Sequence, residues 1–295
     1  MPAPTTGDRS VMADSNATGL DAKSGYSRVD SQPDVAMVLA GMDATATWPS
    51  VRYLRAWEHE RLTPGPGAEV LDVGSGLGDI AIALAKEVTP GGRVVGLDAS
   101  AAMIEVAERR AAGAGVEVGF RIADAMNLPE ADSSFDVCRS ERVLQWLPDP
   151  ARAVAEMVRV LRPGGRLCLT DTDWFTLTID LPDVGAISAF REAIWQLRGA
   201  PAAVGSRLLN LCRDAGVVEL EATAATHIWT DWKPDTEYAP AGIFPIAPIV
   251  RQMIAADVLD PVLGERFIEQ LLQAARDDRF FMSVGMFAVF GRRPG

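Results

Sequence analysis

The sequence predicts an α/β protein built on a mainly parallel, doubly wound sheet. Three observations predict it. From residue 69 onward, short β-rich runs alternate with helical patterns. A glycine-rich turn joins the first of those runs to the helix after it. Between the last two strand signals lies a long segment with helical patterns of its own, residues 233–279. At 295 residues the chain has room for one large α/β domain carrying an insertion, or for two ordinary domains.

Residues 1–25, rich in Ala, Thr, Ser, Gly and Asp without periodicity, are expected to be mobile. A core then runs from 26 to 232, a helical insertion read as a substrate lid from 233 to 279, and a final strand from 280 to 295. Val35, Val38, Leu39 and Met42, followed by Val51, Leu54 and Leu62, predict two helices before the sheet, ended by TPGPG at 63–67. The first strand is EVLDV at Glu69–Val73, with IAIALAKEV as the helix behind its glycines. RVVGLD (Arg93–Asp98) is the second strand, and Ser100 caps a helix that places Met103, Ile104 and Ala107 on one face.

A third strand is expected over Val116–Ala123 and a fourth from Phe135 as FDVCRS. Asp149 and Pro150 open the next helix, with Val154, Met157, Val158 and Leu161 at helical spacing. The turn RPGG (162–165) separates it from strand five, RLCLTDTDW. Two helices follow, one carrying Val184, Ile187, Phe190, Ile194 and Leu197 and one near Ser206–Ala215. VVELEATAATHIW is strand six, and FFMSVGMFAVFGRR is strand seven.

With 40 acidic against 28 basic residues and a net charge of −12, the surface disfavours a nucleic-acid backbone or an anionic membrane as partner. A small organic substrate fits better. The N-terminus lacks a secretory signal pattern, so a cytoplasmic location is expected, and no apolar run reaches the length of a membrane span. Cys138, Cys168 and Cys212 are widely spaced and read as reduced core residues, with no disulfide framework and no metal site.

The chemically informative segment is VLDVGSGLGD, with glycines at 74, 76 and 78 and acids at 72 and 79. Such a turn lets the backbone approach a nucleotide-like cofactor at a helix N-terminus. A dinucleotide fingerprint would need glycine at position 79, where Asp79 would instead place an anion against a pyrophosphate. S-adenosylmethionine has no phosphate and carries an amino group and a sulfonium, for which Asp72 and Asp79 are favourable partners. Asp98, closing strand two, suits two ribose hydroxyls, while Asp124 suits the adenine amino group and the Ala125 amide a ring nitrogen.

On these residues the chain resembles the class I S-adenosylmethionine-dependent methyltransferases, in the small-molecule branch akin to the ubiquinone and menaquinone methyltransferases. The matching motifs are VLDVGSGLGD, VVGLDAS with Met103, IADAMNLP, SSFDVCRSERVLQWLPDP and MVRVLRPGGRL, spanning about Glu69 to Thr172. The resemblance implies a Rossmann-like, seven-stranded, mostly parallel sheet whose last strand is antiparallel. It implies S-adenosylmethionine as cofactor, held by Gly74, Gly76, Asp98, Ala99, Met103, Asp124 and Ala125, with Tyr26 in an N-terminal cover. Substrate entry is implied above Ser140–Leu147, and Ser140 is counted with the cofactor residues.

Many relatives carry histidine after the glutamine of the strand-four loop; this chain has Trp146. His59 and His227, the two histidines, read as structural. Glu141 and Asp173, at the ends of strands four and five, are the candidate bases or orienting groups. Arg142, Trp146 and Trp174 are the candidate acceptor contacts, within an aromatic set that also includes Phe175, Trp229, Trp232 and Phe244. Methyl transfer from a sulfonium can also proceed by placement and desolvation alone. The expected function is methyl transfer to a small molecule such as a secondary metabolite. The competing readings are a cyclisation or rearrangement on the same cofactor fold, and a non-enzymatic cofactor sensor. The sequence leaves oligomeric state open, a homo-oligomer included.

Overall fold

The computed structural model describes residues 25–32, 34–232 and 246–295, apart from the side chains of 25–27. Its sheet is organised around β1 (Glu69–Val73), which pairs in parallel with β2 (Arg93–Asp98) on one side and β4 (Phe135–Glu141) on the other. β3 (Gly119–Ile122) continues beyond β2, and β5 (Leu161–Ile179) beyond β4. β7 (Met282–Arg292) lies between β5 and β6 (Val218–Trp229) and runs antiparallel to both, giving the order β3-β2-β1-β4-β5-β7-β6.

Both faces of the sheet are covered, which is why β1 is apolar on successive residues. Val70 packs into one core, with α2 (Pro49–Leu62), α3 (Asp79–Val88) and α4 (Ala101–Ala114). Leu71 and Val73 point the opposite way, toward α5 (Pro150–Val160) and α7 (Val204–Asp214). Two predicted caps form as expected: the Ser100 hydroxyl accepts the Met103 N–H at 3.1 Å, and Asp149 accepts the Arg152 N–H at 3.0 Å.

Two boundaries differ from the sequence reading. β3 is only four residues long. The RPGG segment does not separate an element from strand five but belongs to β5. There Gly164 takes φ +77°, its N–H donates to the Arg293 carbonyl, and the Arg293 N–H donates to the Gly165 carbonyl. The end of the chain thus supplies the backbone partners that a free turn would leave to water.

Before the sheet, α1 (Val35–Ala46) follows a short 3-10 segment, Gly25–Ser31. Asp30 ties that segment to the start of α4, accepting hydrogen bonds from the Ser100 hydroxyl and the Ala101 and Ala102 amides. The segment expected to be mobile lies outside the described residues except for Gly25, and so does the side chain of Tyr26. In the insertion, α8 (Ile246–Ala255) and α9 (Pro261–Arg276) pack with α6 (Val184–Arg198). Phe190 of α6 stacks on Phe267 of α9 at 4.3 Å between ring centroids. No helix among the described residues is long and apolar enough to cross a membrane.

Candidate functional site

The carboxyl ends of β1, β2 and β3 converge on one cavity of about 170 Å³, lined by Gly74, Asp98, Ala99, Met103, Asp124 and Ala125 from those ends. Its other walls include Trp146, Trp174, Arg142 and Gln145. The backbone turn that forms its floor requires glycine. Gly74 has φ +74°, and a Cβ there would lie 2.0 Å from the Val143 side chain; at Gly76, φ +51°, it would lie 2.6 Å from Met42. The Gly76 N–H donates to Asp98 Oδ2 and the Ser100 N–H to Oδ1, both at 2.9 Å. Asp98 is thereby fixed at the cavity wall, and burial raises its pKa. Asp124 is held similarly, accepting the Met126 N–H at 2.8 Å.

Behind the turn, a buried charge cluster fastens the sheet to the helices in front of it. Arg139 of β4 stands opposite Asp72 of β1 in register and donates to its Oδ1 at 2.7 Å. Arg139 also pairs with Glu58 of α2, and with Glu141 at 3.1 Å. Burial opposes its charge, but these three carboxylates outweigh that and raise its pKa well above the usual value. Glu141 in turn accepts Arg55 through both oxygens, at 2.7 and 2.9 Å, and Arg142 at 3.2 Å. Asp72 Oδ2 is buried with no hydrogen-bond partner among the described residues, and Asp72 borders a small polar recess that shares Gly74 and Arg142 with the main cavity.

A family profile described as a methyltransferase domain matches residues 64–200. The chain is 34% identical to the ubiquinone/menaquinone biosynthesis C-methyltransferase of Bdellovibrio bacteriovorus, over 51% of this chain and 69% of that protein. It belongs to the class I S-adenosylmethionine-dependent methyltransferases. It is also similar to an uncharacterised 37.1 kDa protein in a Streptomyces fradiae transposon, 33% identical over 84% of this chain and 69% of the relative. Of several other curated methyltransferases that it matches, the chain spans less than half the length. Among solved structures, the YcgJ protein of Bacillus subtilis shares the fold, with a TM-score of 0.56 and 21% identity over 83% of this chain and 99% of that one.

The methyltransferase family implies S-adenosylmethionine, and the residues fit that group. The glycine turn leaves no room for side chains, the acids around it suit an amino group and hydroxyls, and one buried carboxylate oxygen, Asp72 Oδ2, lacks a partner. Other expected cofactor residues lie elsewhere. Asp79 borders the small recess rather than the main cavity and pairs with Arg110 at 2.8 Å. Gly76 lines neither space and acts by positioning Asp98. Ser140 is buried in mid-sheet and lines neither cavity nor recess.

Both candidate bases need correction. Glu141 borders the cavity, but its two oxygens accept four N–H donors from three arginines. Burial would raise its pKa, yet Arg55, Arg142 and Arg139 together hold it well below the usual carboxylate range. It is an ion-pair hub and has no free lone pair for a substrate proton. Asp173 does not line the cavity; its oxygens accept the Phe175 N–H at 2.9 Å and, in the first turn of α7, the Ser206 N–H at 3.0 Å. It is a helix cap.

On the acceptor side, Trp146 and Trp174 line the cavity as expected. Arg142 lines it too, with its Nε donating to Glu141 at 3.2 Å and its Nη1 to the Thr45 hydroxyl at 2.6 Å. Phe175 is exposed against Trp195, Trp229 packs with Trp48 and His227, Trp232 packs with Phe280, and Phe244 lies outside the described residues. His227, stacked 3.9 Å from Trp48, has its pKa lowered by burial to about 4, and His59 pairs with Glu87 at the surface. The three cysteines are free and buried.

Sequence reasoning missed Gln145, Asp171 and Arg198. The Trp174 indole N–H donates to Gln145 Oε1 at 2.7 Å. Asp171 holds the loop beneath, accepting the Thr172 N–H at 2.8 Å and the Gln145 N–H at 3.3 Å; burial raises its pKa to about 7 despite those bonds. The Arg198 guanidinium stacks on Trp146 at 4.0 Å. Nothing local in the sequence marks Arg198, which sits at the end of an ordinary amphipathic helix.

Proposed function

We propose that this methyltransferase-family chain transfers a methyl group from S-adenosylmethionine to a small, planar, largely apolar acceptor. The observation that carries the reading is the convergence of Gly74, Asp98 and Asp124, from three successive strand ends, on one cavity whose far wall is Trp146 and Trp174. In this reading Asp98 receives the ribose hydroxyls, Asp124 and the Ala125 amide face the adenine, and Asp72 Oδ2 receives the amino group. When bound, the cofactor supplies an electrophilic methyl on a sulfonium.

The protein's own contribution is placement and exclusion of water. Trp174, with Trp146 beside it, offers apolar surface against which a planar acceptor is held in line, and the Arg198 guanidinium already stacks on Trp146. The carboxylates lining the cavity among the described residues are Asp98 and Asp124, on the cofactor side, and Glu141, saturated by arginines. No side chain is therefore given the task of removing a proton. The acceptor enters already ionised, or is a carbon nucleophile activated by conjugation, and burial sharpens its reactivity.

Incubation of the purified protein with S-adenosylmethionine and a panel of aromatic acids, phenols and conjugated enols tests this. Methylated product is expected together with S-adenosylhomocysteine in equal amount. Conversion of an acceptor without S-adenosylhomocysteine would instead mark a rearrangement or cyclisation on the same fold.

A further inference from the structure

Behind Trp174 lies a second, smaller cavity of about 60 Å³ between β5, α6, α8 and β7. Leu177, Phe190, Ile194, Ile249 and Met282 are among its walls, and Trp174 borders this chamber and the main cavity alike. Among the described residues the chamber has one charged lining residue, Arg198. Its guanidinium carbon lies 4.0 Å from the Trp146 ring centroid and 5.4 Å from that of Trp174, so the cation lines the chamber and stacks on two indoles that line the main cavity.

Arg198 makes no ion pair among the described residues. Its hydrogen bonds there are two long ones from Nη2 to Gln145, 3.5 Å to the backbone oxygen and 3.4 Å to Oε1, leaving Nε and Nη1 without partners. Burial lowers its pKa to about 10, the charge of Asp171 opposing, so it remains a cation at neutral pH. A partly buried cation with no directly bonded anion among the described residues is costly, and stacking on two indoles offsets only part of that cost. Arg142, the cation that the sequence suggested for an anionic substrate, already has its partners.

Building on the methyl-transfer reading, we propose that Arg198 binds an anionic oxygen of the acceptor, and that the acceptor is a planar acid. Its ring occupies the main cavity beside Trp174, which borders both spaces, and its apolar substituent enters the chamber between α6 and α8. A carboxylate and an ionised phenol or enol share this chemistry; each presents an oxygen anion to the guanidinium fork.

The test uses a pair of fluorescent probes with one apolar body, 1-anilinonaphthalene-8-sulfonate, an anion, and the uncharged N-phenyl-1-naphthylamine. Both are titrated into protein saturated with S-adenosylhomocysteine, whose own binding is measured first by calorimetry. Wild type should bind the anion more tightly than the neutral probe. Arg198→Met should weaken the anion by about tenfold or more while leaving the neutral probe unchanged. Ile194→Trp, which fills the chamber, should weaken both.

Displacement of the sulfonate by 2-naphthoate would identify a carboxylate, and displacement by 2-naphthol only once it is ionised would identify a phenolate. Equal loss of both probes in Arg198→Met, or no loss of either, with S-adenosylhomocysteine binding intact, would overturn the assignment of Arg198 alone. Failure of wild type to bind S-adenosylhomocysteine would overturn the methyl-transfer reading instead. Arg198→Lys, which keeps the charge but not the fork, should fall between wild type and Arg198→Met.

Discussion

The two halves of the cavity are built differently. The half proposed for the cofactor comes from the ends of β1, β2 and β3, within about fifty residues of chain, and consists of a glycine turn and two strand-end acids fixed by backbone amides. The half proposed for the acceptor is assembled from the loop after β4 and the extension of β5, with the chamber lined by α6 and α8 behind Trp174. The first half is set by local geometry. The second depends on long-range packing, so its specificity can change without disturbing the cofactor half.

Substitutions can break that contrast. The largest effect is expected beneath the cofactor half, where Arg139→Met strands the Glu58 and Asp72 carboxylates in a dry interior. Removing one partner of such a buried pair costs about 3–5 kcal/mol, so chemical denaturation should show a loss of that size. A loss under 1 kcal/mol would mean that the cluster is solvated or that its acids take up protons at little cost.

Next comes Asp98→Ala, expected to weaken S-adenosylhomocysteine by about 1–3 kcal/mol in calorimetry, because ribose hydroxyls would be left unpaired in a buried site. Unchanged affinity would remove Asp98 from the ribose role. The smallest effect on binding is expected at Asp173→Ala. Loss of the cap should lower stability by about 1–2 kcal/mol, with cofactor affinity and single-turnover rate retained. A rate loss beyond about tenfold, with the fold intact, would restore Asp173 as a base.

What the sequence made legible follows the same division. The placement of Asp98, Asp124 and the glycine turn at strand ends was readable because strand ends and turn chemistry are local, and the caps at Ser100 and Asp149 were readable for the same reason. The pairing of Glu141 with its neighbour Arg142 was within reach of the sequence, but the bidentate Arg55 that saturates it comes from α2, and that juxtaposition is tertiary. One signal was available: Arg139 lies inside a central strand, where an arginine is almost never buried unless paired, and Asp72 lies inside the neighbouring one. The register that sets them opposite each other could not be read from either segment alone. The insertion was recognised as helical, but its packing against α6 and the chamber it encloses depend on contacts such as Phe190 with Phe267, which no local pattern encodes.

The central claim, that the three strand ends form an S-adenosylmethionine site, is tested most directly by calorimetric titration of the wild-type protein with S-adenosylmethionine, S-adenosylhomocysteine and NAD. The account predicts saturable binding of the first two with one site per chain and none of the third. Binding of NAD, or of none of the three, would contradict it.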